Sequence, residues 1–441
     1  MPDDGVVLEA LSAAAVSTGE GLLHLSSSHL PVVRPLDQIV WSVGGPAQMV
    51  GPASADLPDN AARAEAIAVR LRRAGVPLEW GPPRTLATRA LAAACRSRGE
   101  ASIAVIRADP TLLTEMQVGG WFNAGPRGRL VRRALLRLPR FVLAALPARF
   151  AADVAFWSGA RTAASRAEWR RLTRSGYVSL CYHRIAGDHK PGQERLDLAP
   201  RRFRRQMLAL RLAGFRPLTP DELLRFHTDP AMVLGRRRFV LTTDDAFADC
   251  VGELARNPGW QPHVYVPTQA VGGRAVWADE EAVADWPALV DLHRRGGVIG
   301  SHTRTHAGLR DLEDRQLADE LGGALEDLRS ALGEARPLLA YPHGRHDERV
   351  RRAARRAGYR LAWTTDLGRN AAGTDPFCLR RVGPKHWHGA LAILYLAVTG
   401  TLLPRPLERG LSRRSGARID QARRPGRWRE ALGRARRHPR G

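Results

Sequence analysis

Residues 238–247 read RFVLTTDDAF, an apolar stretch that ends in two adjacent carboxylates. The apolar part is typical of a buried strand. Neighbouring residues of an extended chain point in opposite directions, so one of Asp244 and Asp245 can bind a metal while the other polarises a water molecule. Alone, the pair is weak evidence, because such residues also cap helix N-termini.

Similar apolar stretches recur on both sides of this segment. They are YVSLCYH at 177–183, HVYVPT at 263–268, GVIGSH at 297–302, PLLAYPHG at 337–344 and LAWTT at 361–365. Helical patterns lie between them at 200–214, 318–333 and 347–358. Alternating strands and helices predict an α/β fold with a parallel sheet or barrel, in which functional residues gather at the C-terminal ends of the strands.

A pair of histidines follows one of these strands. Residues 296–306 read GGVIGSHTRTH and contain His302 and His306 at HxxxH spacing, which places both rings on one face if the segment turns helically. Two histidines and a carboxylate form a usual catalytic zinc set that leaves positions for water and substrate. Either histidine alone could belong to a solvated loop, but the combination with Asp244 and Asp245 predicts a metal site.

A third polar cluster, LLAYPHGRH at 338–346, also follows an apolar strand. Pro342 and Gly344 predict a tight turn whose backbone N–H groups could point into the site. Such amides can stabilise an oxyanion. An ordinary turn is the alternative for this cluster taken alone.

Together these segments resemble the NodB-homology polysaccharide deacetylases, carbohydrate esterase family 4, over about Tyr177 to Pro384. The resemblance implies a deformed (β/α) barrel and a divalent metal, which we expect to be zinc, with cobalt or nickel as alternatives. LTTDDAF resembles the first family motif, which implies that Asp244 is the general base and Asp245 a metal ligand. SHTRTH resembles the second motif, which implies that His302 and His306 are the other ligands.

The third family motif is altered here. Residues 340–344 read AYPHG, so the usual arginine is missing and His343 stands where tyrosine is usual. Arg381, in LRRVG, resembles the arginine that ends the domain and is expected to steady Asp244. The resemblance assigns the substrate and oxyanion side to the turn that contains Tyr341, Pro342, His343 and Gly344, with a backbone amide from His343.

The general acid is expected from a different part of the chain. The usual C-terminal L-x-H motif is not visible, but SLCYHRIAG resembles the Tyr-His opening of relatives with a circularly permuted barrel, which implies that His183 is the acid. His386 and His388 are the fallback positions, and a buried strand-end histidine is the alternative for His183. Asp366, at the end of LAWTTD, is expected to orient the acid.

These expectations imply a metal-dependent hydrolase that removes N-acetyl groups from amino sugars of a polysaccharide or lipid-linked glycan. The products would be acetate and a free amino sugar. The alternative is a catalytically decayed barrel that serves as a glycan-binding or scaffold protein, suggested by the missing arginine, the unlocated L-x-H motif and Ala246 in place of glycine.

The 441 residues are 44% hydrophobic and 25% charged, which excludes a disordered or polytopic membrane class and predicts two or three domains. We expect a NodB-like domain at 173–388 preceded by a small α/β region and a helical connector. The predicted segments are a poorly ordered N-terminus at 1–30, the α/β region of unknown function at 31–115 with a buried strand at 101–109, a basic amphipathic helical connector at 116–172, an apolar buried or interfacial helix at 389–403 and an Arg-rich disordered tail at 404–441.

The basic residues are unevenly distributed. The net charge is +24, but only two of the 68 basic residues are lysines, so the excess of arginine is weak evidence for nucleic acid and no specific nucleic acid is expected. Residues 127–149 contain seven arginines, no acidic residue and several apolar clusters. This pattern fits either a segment that contacts anionic membrane or a pair of helices packed on the catalytic domain.

No secretory signal is visible at the acidic N-terminus, and the longest uncharged apolar run, Ala390 to Leu403, is shorter than the about 20 residues that span a bilayer. The four cysteines are far apart and form no CxxC pair, which favours free thiols in a reducing compartment. We therefore expect a cytoplasmic protein, with peripheral contact at the inner face of the membrane, and favour a membrane-linked glycan as substrate.

Overall fold

The computed structural model describes residues 37–40, 62, 79–83, 88–138, 148–187 and 197–414. Its strands, in chain order, are β1 Asp37–Val40, β2 Glu79–Pro83, β3 Tyr177–Tyr182, β4 Arg216–Pro217, β5 Arg238–Thr243, β6 His263–Val266, β7 Arg274–Ala275, β8 Glu281–Ala282, β9 Val298–Ser301, β10 Leu338–Ala340 and β11 Leu361–Trp363. The pairs β1–β2 and β7–β8 are antiparallel two-stranded sheets.

The remaining seven strands form one parallel sheet in the order β11–β10–β9–β6–β5–β3, and β4 also pairs with β5. The six strands predicted between residues 177 and 365 are all present. Almost all residues of these strands are buried. Helices cover the sheet, so neither face is exposed to solvent and polar residues do not alternate with apolar ones.

The helices follow the predicted alternation with strands. They are α1 Thr88–Ala108, α2 Gly125–Leu135, α3 Ala148–Ala163, α4 Arg166–Thr173, α5 Pro200–Leu212, α6 Pro220–Thr228, α7 Ala248–Ala255, α8 Trp286–Arg294, α9 Asp314–Ala318, α10 Ala324–Leu332, α11 Glu348–Arg356, α12 Ala390–Thr399 and α13 Arg405–Arg414. A π-helical turn, Asp319–Gly323, joins α9 to α10. Short 3₁₀ turns lie at Pro110–Thr114, Gln117–Ala124, Pro258–Trp260, Thr268–Ala270, Leu309–Asp311 and Pro342–Gly344.

The sheet curls, and one extended segment, Leu379–Val382, bonds to both of its edge strands. Leu379 donates to Ala362 of β11 at 3.0 Å, and Val382 donates to Ser179 of β3 at 2.9 Å. Parallel bridges also join this segment to both strands. The architecture is the deformed α/β barrel that the sequence predicts, and the bridging segment carries Arg381 to its interior.

The helices α1 to α4 pack against the N-terminal ends of the barrel strands. Trp121, Phe156 and Trp157 share one buried apolar cluster with the strand residues Tyr177 and Trp363. Trp121 and Trp157 meet edge to face with ring centroids 5.0 Å apart. This end of the barrel is therefore filled by side chains of the N-terminal helices, and the opposite end remains for the functional residues.

The strand predicted at 101–109 is wrong, because the whole of Thr88–Ala108 is one helix. The run ASIAVI carries no periodicity that distinguishes a short buried strand from a buried helix turn. Close packing against α3 decides the outcome: a Cβ on Gly99 would lie 2.0 Å from the Phe156 carbonyl oxygen, and a Cβ on Gly159 would lie 2.0 Å from that of Arg96. The two glycines allow the helix backbones to touch.

The C-terminal part of the chain differs from the expected tail. The helix α13, Arg405–Arg414, occupies the beginning of the range predicted to be disordered, because Glu408 is buried against Trp387 and His388. On α12, Ile393 and Leu396 are buried in the core, whereas Leu391 is exposed. The predicted N-terminal segment 1–30 and the rest of the tail, 415–441, lie outside the described residues. Among the helices that the structure describes, none combines the length and apolar character needed to cross a bilayer.

Candidate functional site

The adjacent carboxylates lie where β5 ends, and they face different partners. The backbone enters the left-handed region at Asp245, with φ of 69°, and stays there at Ala246, with φ of 51°. Residues other than glycine adopt this conformation at a cost in free energy, and residues strained in this way are typical of functional sites. Asp244 is 4% exposed and Asp245 is 5% exposed, so both carboxylates are held away from bulk water.

Asp245 lies against both predicted histidine ligands. The Nε2 atom of His306 is 3.2 Å from Asp245 Oδ1, and the Nε2 atom of His302 is 3.9 Å from the same oxygen. One possible ligand atom from each of the three residues lies within 4.8 Å of the other two, and all three residues are buried. The strand ends of β5 and β9 thus converge on one small volume.

A backbone carbonyl orients the ring of His302. Its Nδ1 atom lies 2.7 Å from the carbonyl oxygen of Ala340, at the end of β10. Burial lowers the pKa of His302 to about 4, so the ring is neutral at pH 7. Because a carbonyl only accepts, the single ring proton lies on Nδ1 and the lone pair of Nε2 faces Asp245.

Trp277, which no sequence motif singles out, completes the surroundings of Asp245. Its indole Nε1 donates to Asp245 Oδ1 at 3.0 Å. Its ring stacks on His306, with centroids 4.4 Å apart and an interplanar angle of 6°. Trp277 therefore fixes both a carboxylate and an imidazole, and it follows the β7 strand about thirty residues beyond the acidic pair.

The three side chains suit a divalent metal. Two imidazoles and one carboxylate are the donor set of catalytic zinc sites, and a second group already holds the His302 ring in the orientation that ligation requires. Burial raises the pKa of Asp245, but the hydrogen bond with His306 and the interactions with the neighbouring histidines outweigh it, so the pKa lies below its ordinary value and the carboxylate is ionised.

Asp244 is held by Arg381 instead. Arg381 Nη1 donates to Oδ1 at 2.6 Å and Nη2 to Oδ2 at 2.7 Å, while Nε donates to the carbonyl oxygen of Thr364 at 2.9 Å. Burial raises the pKa of Asp244, but the charge of Arg381 and its hydrogen bonds hold it below the ordinary value. Asp244 is therefore an ionised carboxylate in a fixed orientation.

His183 lies beside this ion pair. It follows β3, whose last residue, Tyr182, pairs with Thr243 at the end of β5. One ligand atom of His183, the Cys181 sulfur and one Asp244 oxygen all lie within 4.8 Å of one another. Burial lowers the pKa of His183, partly opposed by the carboxylates of Asp244 and Asp245.

Comparisons with known proteins match part of this chain to one family. Residues 260–362, which include His302 and His306, match the family model described as polysaccharide deacetylase. This part of the chain is therefore similar to polysaccharide deacetylases.

The curated and solved proteins that resemble this chain are distant in sequence. The Bacillus subtilis (strain 168) protein YxkH, whose assigned name places it among the polysaccharide deacetylases, is 22% identical over 206 residues, which are 46% of this chain and 69% of the relative. The Streptococcus pyogenes deacetylase PplD, solved in complex with acetate, is 20% identical, with a TM-score of 0.45 over 52% of this chain and 99% of that one. A Bacillus cereus polysaccharide deacetylase, BC0361, is 23% identical, with a TM-score of 0.43 over 51% and 70%.

The turn after β10 directs fewer groups toward the candidate site than the sequence suggests. Tyr341 is fully buried and its hydroxyl donates to the Phe377 carbonyl at 3.3 Å, so its side chain is part of the core. Pro342 is buried as well. The N–H of Gly344 is used within the turn, where it donates to the Tyr341 carbonyl at 2.8 Å. A Cβ on Gly344, which has φ of 68°, would meet Thr365 Oγ1 at 2.3 Å.

His343 is the exception in this turn. Its backbone has φ of 58°, and within the described residues its N–H donates to no other backbone group. Its exposed imidazole stands edge-on to His306, with ring centroids 4.8 Å apart. The sequence predicts a role for the backbone amide only, and the structure adds the side chain.

Three other predicted residues lie apart from this cluster of contacts. His388 is fully buried; its Nδ1 accepts from Lys385 N–H at 3.0 Å, and its Nε2 is 3.1 Å from Glu408. His386 packs its ring against Trp387. Asp366 is exposed and bonds through its backbone to Thr364 and Arg381, and within the described chain its carboxylate makes no hydrogen bond to His183.

Proposed function

We propose that this chain is a metal-dependent enzyme that removes N-acetyl groups from amino sugars of a polysaccharide or lipid-linked glycan. The observation that carries the proposal is the juxtaposition of two buried carboxylates with distinct partners. Asp245 lies against His302 and His306, and Asp244 is clamped by Arg381. A ligand site beside an ionised, oriented base is what hydrolysis of an amide requires.

Asp245, His302 and His306 would hold the metal, for which we favour zinc, with cobalt or nickel as alternatives. When bound, the metal would polarise the acetyl carbonyl and lower the pKa of a bound water molecule. Trp277 and the Ala340 carbonyl keep Asp245 and His302 in the orientation for ligation. These groups bind and orient, and they take no part in proton transfer.

Asp244 would accept the proton of the attacking water. Arg381 donates to each carboxylate oxygen, and the Cys181 thiol also donates to Oδ2, so Oδ1 keeps a lone pair that would accept the proton. By holding the pKa of Asp244 below its ordinary value, Arg381 keeps the base ionised at neutral pH. It also fixes the direction in which Asp244 points, so that water is activated from one side.

His183 would give a proton to the departing nitrogen, because an amide nitrogen leaves poorly without one. As the C–N bond breaks, the nitrogen becomes an amine and the acyl carbon keeps the water oxygen as acetate. The proximity of His183 and Asp244, within 4.8 Å, allows the proton taken from water to return to His183 afterwards. We further propose that the barrel is circularly permuted relative to most of the family, since the acid then comes from the first barrel strand.

The oxyanion would be stabilised by the backbone N–H of His343. This amide has no backbone acceptor among the described residues, whereas those of Gly344 and Arg345 are used within the turn. A donor without an internal partner is available to the substrate oxygen when charge develops on it. The imidazole of His343 beside His306 would also contact the substrate.

The substrate and its location follow from sequence features. The basic, partly apolar segment at 127–149 and the Arg-rich tail favour a glycan attached to a membrane lipid. We propose a cytoplasmic enzyme that contacts the inner face of the membrane peripherally and that recognises no specific nucleic acid.

Acetate release from N-acetylated amino-sugar oligomers tests the activity. We expect the purified protein to release acetate, Asp244→Asn to lose turnover while it keeps its metal, and His293→Ala to behave as the parent. His293 lies on α8 and faces Glu334, so its removal controls for the loss of a histidine elsewhere. Full activity of Asp244→Asn would refute the base, and metal-loaded protein inactive on every N-acetylated glycan would favour a glycan-binding barrel.

A further inference from the structure

Two neighbouring pockets lie at the N-terminal end of the barrel strands. The proposed metal ligands lie at the opposite, C-terminal ends of the strands. One, of about 210 Å³, lies between the end of α4 and the segment before β5, and Arg170, Arg174 and Arg236 line it. The other, of about 170 Å³, lies between α2, α3 and α4. Arg174 lines both pockets. Each pocket has room for several water molecules, which occupy about 30 Å³ each in the liquid.

The second pocket is as basic as the first. Its guanidinium groups come from Arg133, Arg137, Arg161 and Arg174, and the aromatic rings of Trp121 and Trp169 form part of its wall. Neither pocket has a carboxylate in its lining. Six arginines, from α2, α3 and α4 and from the segments after α2, after α4 and before β5, therefore line the two pockets.

These arginines have no acidic partner in the described part of the chain. Two of them bind carbonyl oxygens instead: Arg133 Nη2 donates to Thr173 at 2.9 Å, and Arg161 Nη1 donates to Leu136 at 3.5 Å. By contrast, Arg132, which also lies on α2, forms a bidentate ion pair with Asp153. The sequence between α2 and α3, PRFVLAALP at 139–147, contains no acidic residue that could neutralise the group.

Uncompensated charge of one sign makes such a cleft attractive to anions. Burial lowers the pKa of Arg133, and the neighbouring charges of Arg174, Arg236 and Arg137 lower it further. An anion placed among these groups would remove that repulsion. Guanidinium groups match the oxygen spacing of a phosphate and bind it through paired hydrogen bonds.

We propose that the two pockets form a binding site for a phosphate group. The phosphate could belong to a soluble phosphate compound or to the headgroup of an anionic lipid. The apolar side chains next to the pockets fit the second source: Leu130, Val131 and Leu138 are exposed on and just after α2. Apolar side chains beside arginines are typical of surfaces that lie in the membrane interface.

The site is separate from the proposed chemistry. Ser175, which lines one pocket, precedes β3, whereas His183 follows the other end of the same strand. The inference therefore does not depend on the deacetylase reaction. Acetate release from a water-soluble substrate is expected to be unchanged when the pockets are altered.

The test compares a double variant, Arg174→Gln with Arg236→Gln, with a matched control, Arg201→Gln with Arg211→Gln. The control removes the same charge from exposed positions on α5. Within the described residues, the side chain of neither altered pocket arginine makes a hydrogen bond or ion pair, so the double variant is expected to fold. The soluble probe is pyrophosphate, measured as a shift in Tm at constant ionic strength. The lipid probe is flotation with vesicles of phosphatidylglycerol or of phosphatidylcholine.

We expect the parent and the control to bind at least one anionic probe, and the double variant to bind it about tenfold more weakly, a loss of about 1.4 kcal/mol of binding free energy. Stabilisation by pyrophosphate identifies a soluble ligand, and selective flotation with phosphatidylglycerol identifies a lipid headgroup. Equal binding by the double variant and the control overturns the proposal. So does the absence of any binding to pyrophosphate and phosphatidylglycerol by the parent.

Discussion

Arg381 donates hydrogen bonds to both carboxylate oxygens of Asp244, at 2.6 and 2.7 Å, although the two residues lie 137 positions apart in the sequence. The arginine reaches this position because Leu379–Val382 bonds to both edge strands of the sheet. Asp244 is thereby fixed in direction and ionised. The closure of the barrel and the preparation of the proposed base thus depend on one short segment.

Replacement of Arg381 is expected to shift the pH dependence of acetate release. Burial raises the pKa of Asp244, and Arg381 is the strongest of the groups that lower it, so Arg381→Met leaves the effect of burial less opposed. The base is then protonated up to a higher pH, and the acid limb of the kcat/KM profile moves upward. Arg381→Lys keeps the charge and is expected to show a smaller shift.

The contradicting result for Arg381 is an unchanged acid limb in both variants. Removal of one partner of a buried ion pair costs about 3–5 kcal/mol, so Arg381→Met is expected to lose much of its stability. Arg381→Lys then provides the comparison, because lysine cannot make both guanidinium hydrogen bonds and therefore interacts more weakly with the Asp244 carboxylate.

His183→Ala is expected to lower kcat by a factor of about 100 to 10,000, the usual range for general acid–base catalysis. Metal content is expected to stay at the parental level, because His183 is not among the three proposed ligands. The same substitution at His386 is the matched control. A large loss of kcat in His386→Ala with normal activity in His183→Ala would assign the acid to the C-terminal side of the barrel and refute the permuted order.

Glu408→Ala is expected to lower the free energy of unfolding by about 1–3 kcal/mol, because it removes the acceptor of the buried Trp387 Nε1 and the partner of the buried His388. Thermal unfolding measures this as a lower Tm. Glu408→Gln keeps an acceptor and should lose less. An unchanged Tm in Glu408→Ala would show that α13 does not stabilise the barrel.

The barrel could be predicted because its evidence is local. Each strand is an apolar run that ends in polar residues, and parallel strands bring those ends together. The convergence of Asp245 with His302 follows from this rule. Their surroundings do not: Trp277 belongs to no motif, and nothing near Tyr341 in the sequence shows that its hydroxyl would bind Phe377.

The errors have the same origin. Residues 101–109 are apolar enough for a strand, but they continue a helix that packs closely on a second helix. The two helices lie far apart in the sequence and touch at Gly99 and Gly159. In the sequence, Glu408 is one of a few acidic residues in a basic tail. In the structure it is buried by Trp387 and His388, which lie 21 and 20 residues earlier in the chain. Sequence patterns carry local periodicity, whereas these features depend on contacts between separate elements.

Metal content of the purified protein, measured by elemental mass spectrometry, tests the central claim most directly because it requires no substrate. We predict about one zinc, cobalt or nickel ion per chain in the parent and in Asp244→Asn. Asp245→Ala and His302→Ala are predicted to lose the ion, and His293→Ala to keep it. A parent protein that holds no metal, even after incubation with zinc, cobalt or nickel, would contradict the account.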